Sequence, residues 1–222
     1  MSFESWRSTD YAAAWAAEDV MAPVLELPRR ISAALIVDAG IDVSHVVDLG
    51  AGPGSYLKLM LESFPEARGT WVDVSEAMLE LAQAELGAFA DRVEFRVADL
   101  EQLDREPFQP AEVVVSSRAL HHFSPESLGR IYGAIAAFVA PGGFVFNLDH
   151  VGSPDDAWGG AYRRVREEIV GRRAQALKPH RQDGPLPPQD VHLQAMSAAG
   201  LVHADAPWRM LMTALMTARK PA

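Results

Sequence analysis

The sequence predicts an α/β protein built on a mostly parallel sheet. Three observations carry that prediction. From Val46 onward short β-branched runs alternate with longer stretches of helical period, which is the pattern of βα units. Helix-stop and helix-start residues punctuate the alternation, and the chain finishes on two apolar runs with no room for a helix between them, which reads as an antiparallel strand pair.

Residues 1 to about 40 have helical character and end near Gly40, and form an N-terminal helical cap. The strand candidates are Val46 to Leu49, Thr70 to Val74, Val93 to Val97, Val113 to Ser117 and Phe144 to Leu148, and a crossover helix is expected after four of the five. Ser124 N-caps a helix that runs to Ala140, with Pro125 at its first position and Pro141-Gly142-Gly143 as its stop. Residues 151–190 interrupt the alternation as an insertion, and 191–222 supply a closing helix and the strand pair, with Pro207 near the turn. All of this is expected to be one domain over 1–222, with 41–150 as its core and the insertion as a lid. In open α/β sheets ligands bind beyond the carboxyl ends of the strands, where such a lid would sit.

Composition narrows the function classes. With 49% hydrophobic residues in 222, the chain buries a substantial core. A formal charge of −10 disfavours a broad phosphate-tracking surface, so nucleic acid is an unfavoured partner. The absence of cysteine removes disulfides, thiolate metal sites and a cysteine nucleophile. The opening MSFESWRSTD lacks the basic start and apolar core of a signal peptide, and no apolar run approaches the ~20 residues of a membrane span. A cytoplasmic protein with no membrane partner is expected; the sequence does not choose between monomer and homodimer.

The strongest local signal is VVDLGAGPG at 46–54, an apolar strand running into Asp48 and then three glycines in five residues. Glycine serves where backbone must turn sharply and approach a ligand without a Cβ in the way. Asp73 lies 25 residues after Asp48, and Asp99 lies 26 after Asp73. Each acid ends a successive strand, which brings all three to one edge of the sheet. A carboxylate at the second strand end suits the two hydroxyls of a ribose, and one at the third suits an exocyclic adenine amine.

VVDLGAGPG, WVDVSEAML, VADLEQL, VVVSSRALHHF and FVAPGGFVFNLDH, in that order, resemble the successive motifs of the class I S-adenosylmethionine-dependent methyltransferases. The resemblance covers roughly residues 45–150 and includes the closing strand pair. It implies a Rossmann-like three-layer sandwich: a seven-stranded sheet, the last strand antiparallel, with N-terminal helices and a helical insertion before the sixth strand. The implied cofactor is S-adenosylmethionine, leaving as S-adenosylhomocysteine, and the implied acceptor is a small molecule. Carried onto this sequence, Gly50, Ala51, Gly52 and Gly54 line the methionine and ribose portion, and Asp48 faces the cofactor's amino end. Asp73 holds the ribose hydroxyls, Val74 and Met78 neighbour the adenine, Asp99 and Leu100 read its polar edge, and Ser116 and Ser117 border the cofactor from the fourth strand. Met78 also reads as ordinary helix packing.

A nicotinamide-dependent dehydrogenase shares the acid at the second strand end, but its fingerprint spaces glycines as G-x-G-x-x-G. Here the loop is Gly50-Ala51-Gly52-Pro53-Gly54, and Pro53 lacks a backbone donor. A non-catalytic cofactor-binding subunit is the other alternative. A catalytic metal is not expected, because Ser116-Ser117-Arg118 and Asn147-Leu148-Asp149 offer one carboxylate where hard cations take several oxygens. His150, His180, His192 and His203 show no ligand spacing, and Ser116 and Ser117 lack the glycines of a nucleophile elbow.

His122 and His121 follow the fourth strand where the methyl group should sit, and the resemblance favours His122 for acid-base work. Imidazole, with an unperturbed pKa of ~6.5, accepts protons near neutrality; packing of both rings in the loop is the alternative. Tyr11, Trp15, Asp149, Trp158 and Tyr162 are candidate acceptor-pocket walls, the aromatic ones equally readable as anchors. Between Arg163 and Arg181 seven basic residues face Glu167 and Glu168. They read either as a lid that meets an anionic substrate or as a solvated helix.

Overall fold

The computed structural model describes residues 22–105, 107–171 and 185–222. Tyr11, Trp15, Arg172, Arg173, Lys178, His180 and Arg181 lie outside the described residues. Helix α1 (Ala22–Asp38) precedes strand β1 (His45–Leu49), α2 (Ser55–Ser63), β2 (Arg68–Asp73), α3 (Glu76–Glu85) and β3 (Val93–Val97). Then come β4 (Ala111–Ser117), α4 (Pro125–Phe138), β5 (Val139–His150), α5 (Asp156–Val170), α6 (Gln189–Ala198), β6 (Val202–Met210) and β7 (Thr213–Arg219).

The seven strands are ordered β3-β2-β1-β4-β5-β7-β6, and β7 runs antiparallel to both neighbours. Alternation along each strand splits the core into two layers. Val46, Trp71, Val113 and Phe146 pack beneath α1, α2 and α3, while Val47, Val72, Val114 and Val145 pack beneath α4 and α6. The result is the three-layer sandwich that a sheet buried on both faces requires.

Local chemistry explains most boundaries. Gly40 ends the α1 turn at φ 63°, its N–H donating to the Val37 carbonyl. Ser124 caps α4 by accepting the Ser127 N–H at 3.1 Å, with Pro125 in the first turn. Ser75 does the same for α3, and the strand before it stops at Asp73 because that carboxylate accepts the Ser75 N–H at 2.9 Å and turns the chain; Val74 therefore lies outside the strand.

Three expectations need correction. Helix α4 ends at Phe138 rather than Ala140, since Val139 is already extended and pairs with Ala111. Pro141-Gly142-Gly143 is an irregularity inside β5, where the register shifts between Ala111 and Val113 and a Cβ on Gly143 would meet the Glu112 carbonyl at 2.7 Å. Pro207 lies inside β6, tolerated because that strand is the sheet edge; the turn to β7 is at Leu211, with φ 54°. The crossover expectation holds: four of the five strands are followed by an α-helix, and β3 alone by a 3-10 stretch, Leu100–Arg105.

Candidate functional site

Strand β1 pairs with β2 on one side and β4 on the other. The chain leaves β1 in one direction and later returns on the opposite side, so a crevice opens above the carboxyl ends of β1 and β4. The cleft found there is lined by Gly50, Ala51, Gly52, Asp73, Val74 and Met78 on the β1–β2 side, Asp99 and Leu100 beyond β3, and Ser117 and His122 beyond β4.

Hydrogen bonds hold the glycine loop to β2. Gly52 N–H donates to Asp73 Oδ2 at 2.9 Å, Trp71 Nε1 donates to the Gly52 carbonyl at 2.8 Å, and Ala51 N–H donates to the Val72 carbonyl at 3.0 Å. Gly50 has φ 63°, and a Cβ there would fall 2.3 Å from that of Ala119. The β1 and β4 loops can approach this closely only because position 50 is glycine.

Each oxygen of Asp73 already accepts one backbone N–H, from Gly52 and from Ser75. The Val74 N–H is a third donor to this carboxylate, which leaves part of its capacity of about four acceptor sites for a ligand hydroxyl. Burial pushes the Asp73 carboxyl up, against the lowering effect of those N–H groups. Asp99 Oδ1 accepts the Glu101 N–H at 2.9 Å, fixing the carboxylate at the cleft's far edge.

Several predicted site residues stand behind the cleft rather than in it. Asp48 is fully buried; its Oδ2 accepts the Leu57 N–H at 3.1 Å at the start of α2, and its Oδ1 has no partner among the described residues. Burial raises its pKa from 3.8 to about 7, opposed by the nearby charge of Arg29. Gly54, at φ 85°, admits Leu86, whose Cδ1 would lie 2.8 Å from a Cβ. Ser116 donates to the Leu49 carbonyl at 2.7 Å and is buried in the sheet.

The two histidines separate. His122 is on the cleft wall, while His121 is buried and donates its backbone N–H to Asp149 Oδ2 at 2.8 Å, its Nδ1 lying 2.6 Å from Asp149 Oδ1. The imidazoles face each other with centroids 4.0 Å apart. Asp149 also accepts the His150 N–H, so this acid organises the loop and does not wall an acceptor pocket. His150 is pushed down to about 3 by burial, then by the charges of His121, Arg118 and Arg166, with Asp149 opposing. Trp158 is 53% exposed on α5, its ring 5.3 Å from that of Tyr162. Tyr162 is partly buried, and neither residue is among those lining the cleft.

Sequence reasoning missed Arg29, Tyr56, Arg118 and Phe123, all cleft-lining. For Arg29 a signal existed. Leu25, Arg29, Ser32 and Ile36 share one face of α1 by helical spacing, and three of the four are wholly buried. A charge on such a face marks a group held for a purpose. Arg29 Nη2 donates to Ser117 Oγ at 3.4 Å and its guanidinium lies over the Tyr56 ring, 5.4 Å from the centroid. Among the described residues no group of three or more His, Asp or Glu is placed to hold a metal ion.

The cleft fits an adenosyl sulfonium. Val74, Met78 and Leu100 supply an apolar bed, Asp73 has unused acceptor capacity beside the loop, and Gly52 presents no side chain to the space above it.

Residues 46–143 match the family model for a methyltransferase domain. A trans-aconitate 2-methyltransferase of Paracidovorax citrulli is 35% identical over 126 residues, 56% of this chain and 44% of that protein. A demethylmenaquinone methyltransferase of Leptospira interrogans is 36% identical over 117 residues, 51% of this chain and 45% of that protein. The chain thus spans less than half the length of these relatives. Among solved structures, an O-methyltransferase family protein from Burkholderia thailandensis superposes with a TM-score of 0.73 at 19% identity, covering 96% of this chain and 60% of that one. Human N-acetylserotonin methyltransferase in complex with S-adenosylmethionine gives 0.65 at 16% identity, covering 98% and 58%. The sheet order, the glycine loop and the paired acids thus accompany a match to a methyltransferase domain over residues 46–143, and the fold is that of the solved methyltransferases.

Proposed function

We propose that this chain is a single-domain cytoplasmic enzyme that transfers a methyl group from S-adenosylmethionine to a small-molecule acceptor. The observation that carries the reading is the tie between the glycine loop and Asp73 at the switch point of the sheet, with Asp99 across the same cleft. No described helix is long and apolar enough to cross a membrane.

When bound, the sulfonium supplies an activated methyl carbon. The chain's own residues do the rest. Asp73 accepts the ribose hydroxyls, Asp99 and the Leu100 backbone meet the adenine edge, and Val74 and Met78 cover its faces. His122, at the β4 side, removes a proton from the acceptor as the acceptor's lone pair forms the new bond to carbon. The bound sulfonium would end as a neutral thioether and the acceptor proton would rest on His122, so charge and atoms balance. Such a displacement needs holding of the two reactants in line more than any special catalyst, and a cleft that shields the pair from water assists it.

Calorimetric titration with S-adenosylhomocysteine, NAD and NADP is the test. Binding of the first and of neither dinucleotide is expected; tight dinucleotide binding without it overturns the reading. Mass-spectrometric screening of small-molecule pools for the gain of one CH2 then separates an enzyme from a binding subunit.

A further inference from the structure

We propose that the groove between the 3-10 stretch Leu100–Arg105 and helix α4 is a second ligand site, separate from the cofactor cleft, which takes a small apolar organic cation. Its occupancy is coupled to cofactor binding through Leu100. The site stands on its own geometry, and only the coupling rests on the methyltransferase reading.

The groove follows from the topology. β3 and β4 are separated in the sheet by β2 and β1, and the connection between them carries a six-residue 3-10 stretch with a kink at Gln102. Each of β1, β2, β4 and β5 is instead followed by an α-helix of at least nine residues. A 3-10 stretch is narrower and shorter than such a helix, and one flank of α4 is left open beside it. The space measures about 560 Å3, within the ~300–1,000 Å3 of small-molecule sites. Leu103, Ile131, Ala134 and Phe138 give it an apolar lining, which Phe108 extends by stacking on Phe138 with centroids 4.6 Å apart. Gly133 of α4 also lines it, and a Cβ added there would meet nothing within 4 Å. Glycine weakens a helix interior relative to alanine; here it widens the groove.

Charge selects the ligand. Glu101, Asp104 and Arg130 are the charged lining residues. Arg130 Nη1 donates to Glu126 Oε1 at 3.0 Å and Arg130 Nη2 lies 3.8 Å from Glu101 Oε1, so its charge is matched within the protein. Asp104 forms no hydrogen bond or ion pair with any described residue. An entering ligand therefore meets an apolar surface and one unmatched carboxylate, which suits an apolar body bearing an amine. Because Asp104 is exposed, apolar burial supplies the affinity and the carboxylate supplies the selectivity.

Leu100 joins the two spaces, for it lines both the groove and the cofactor cleft. Asp99, just before it, accepts the Glu101 N–H on Oδ1 and the Gln102 N–H on its carbonyl, each at 2.9 Å. Glu101 is held to α4 in turn by the Ser127 hydroxyl at 2.9 Å. A ligand packed on Leu100 from the groove thus bears on the acid that faces the cleft, and by linkage the effect is reciprocal.

The experiment titrates the full chain, free and saturated with S-adenosylhomocysteine, with tryptamine, with its neutral counterpart indole-3-ethanol and with its anionic counterpart indole-3-acetate, followed by NMR. Tryptamine is expected to bind both forms, about threefold more tightly than indole-3-ethanol, with indole-3-acetate the weakest. Asp104→Asn should remove the preference for tryptamine and keep binding. Gly133→Leu fills the groove and should abolish binding of all three; thermal melts check its fold, and should it not fold, Ala137→Leu takes its place. Bound tryptamine should change S-adenosylhomocysteine affinity by about threefold or more in the wild type, and not in Gly133→Leu. No binding of tryptamine, or binding untouched by the filled groove, overturns the site. Equal binding of the three probes overturns the assignment of a cation. Unchanged S-adenosylhomocysteine affinity, or a change that persists in Gly133→Leu because tryptamine enters the cleft, overturns the coupling alone. Failure of the wild type to bind S-adenosylhomocysteine removes the methyltransferase reading and the coupling with it, while the tryptamine titration of the free chain still decides the site.

Discussion

The N–H of Gly52 and the Oδ2 of Asp73 lie 2.9 Å apart, so the acid that ends β2 also fixes the loop that follows β1. One side chain therefore sets the position of the glycine backbone and offers its remaining lone pairs to a ligand.

Asp73→Ala removes both functions. S-adenosylhomocysteine affinity should fall by more than about tenfold, since hydrogen bonds to a charged group are worth about 1.5–3 kcal/mol each. Stability should fall too, because the Gly52 and Ser75 N–H groups lose their acceptor. Asp73→Asn, keeping one acceptor oxygen, should fall between. Calorimetry and thermal melts measure the pair of effects; wild-type affinity in the alanine variant would mean that the ribose lies elsewhere.

Gly50→Ala places a methyl 2.3 Å from the Ala119 Cβ at a φ of 63°. Strain and overpacking together should cost about 2–4 kcal/mol, with cofactor binding lost as the β1 and β4 loops separate. Gly87→Ala is the control, for nothing lies within 4 Å of its added Cβ and its φ is not in the left-handed region. It should stay within about 0.5 kcal/mol of wild type. Equal behaviour of the two variants in chemical denaturation would contradict the close approach.

Asp48 predicts a pH dependence of stability. Its folded pKa of about 7 lies above the unfolded 3.8, with burial as the main cause. Below about pH 4 both states are protonated and the contribution is fully present. Between about 4 and 7 the unfolded chain ionises first, and the contribution is lost as pH rises through the folded pKa, by a few kcal/mol at most. Asp48→Asn lacks this titration while keeping an acceptor for the Leu57 N–H. Denaturant unfolding at about pH 5 and about pH 8 should show the variant gaining on wild type as pH rises; parallel profiles would exclude a proton on Asp48.

His122→Gln retains size and a donor but not the base. Turnover on a true acceptor should drop by about 10²–10⁴ if proton removal is part of the reaction, with a smaller change in S-adenosylhomocysteine affinity. Wild-type turnover across about pH 6 to 9 would leave positioning alone to carry the transfer. His121→Gln should act differently, as a stability loss, because His121 is buried against Asp149.

Much was determined by the sequence alone, wherever the physics is local. Alternating β-branched runs marked β1 to β4, Ser124-Pro125 marked the start of α4, and the regular spacing of Asp48, Asp73 and Asp99 placed three acids at one sheet edge. These follow from backbone propensity, capping and periodicity, which need only neighbours in the chain. Tertiary structure decided what each residue faces. Asp48 turns to the start of α2, Ser116 to the Leu49 carbonyl within the sheet, and Asp149 to His121 across 28 residues, because a buried polar group goes to the partner that packing brings within reach. Arg29, some twenty residues ahead of the glycine loop, reaches the cleft from α1, and Arg118 is held by the Leu148 carbonyl on the neighbouring strand. No local pattern encodes those approaches, since they depend on the order in which β1, β4 and β5 lie side by side.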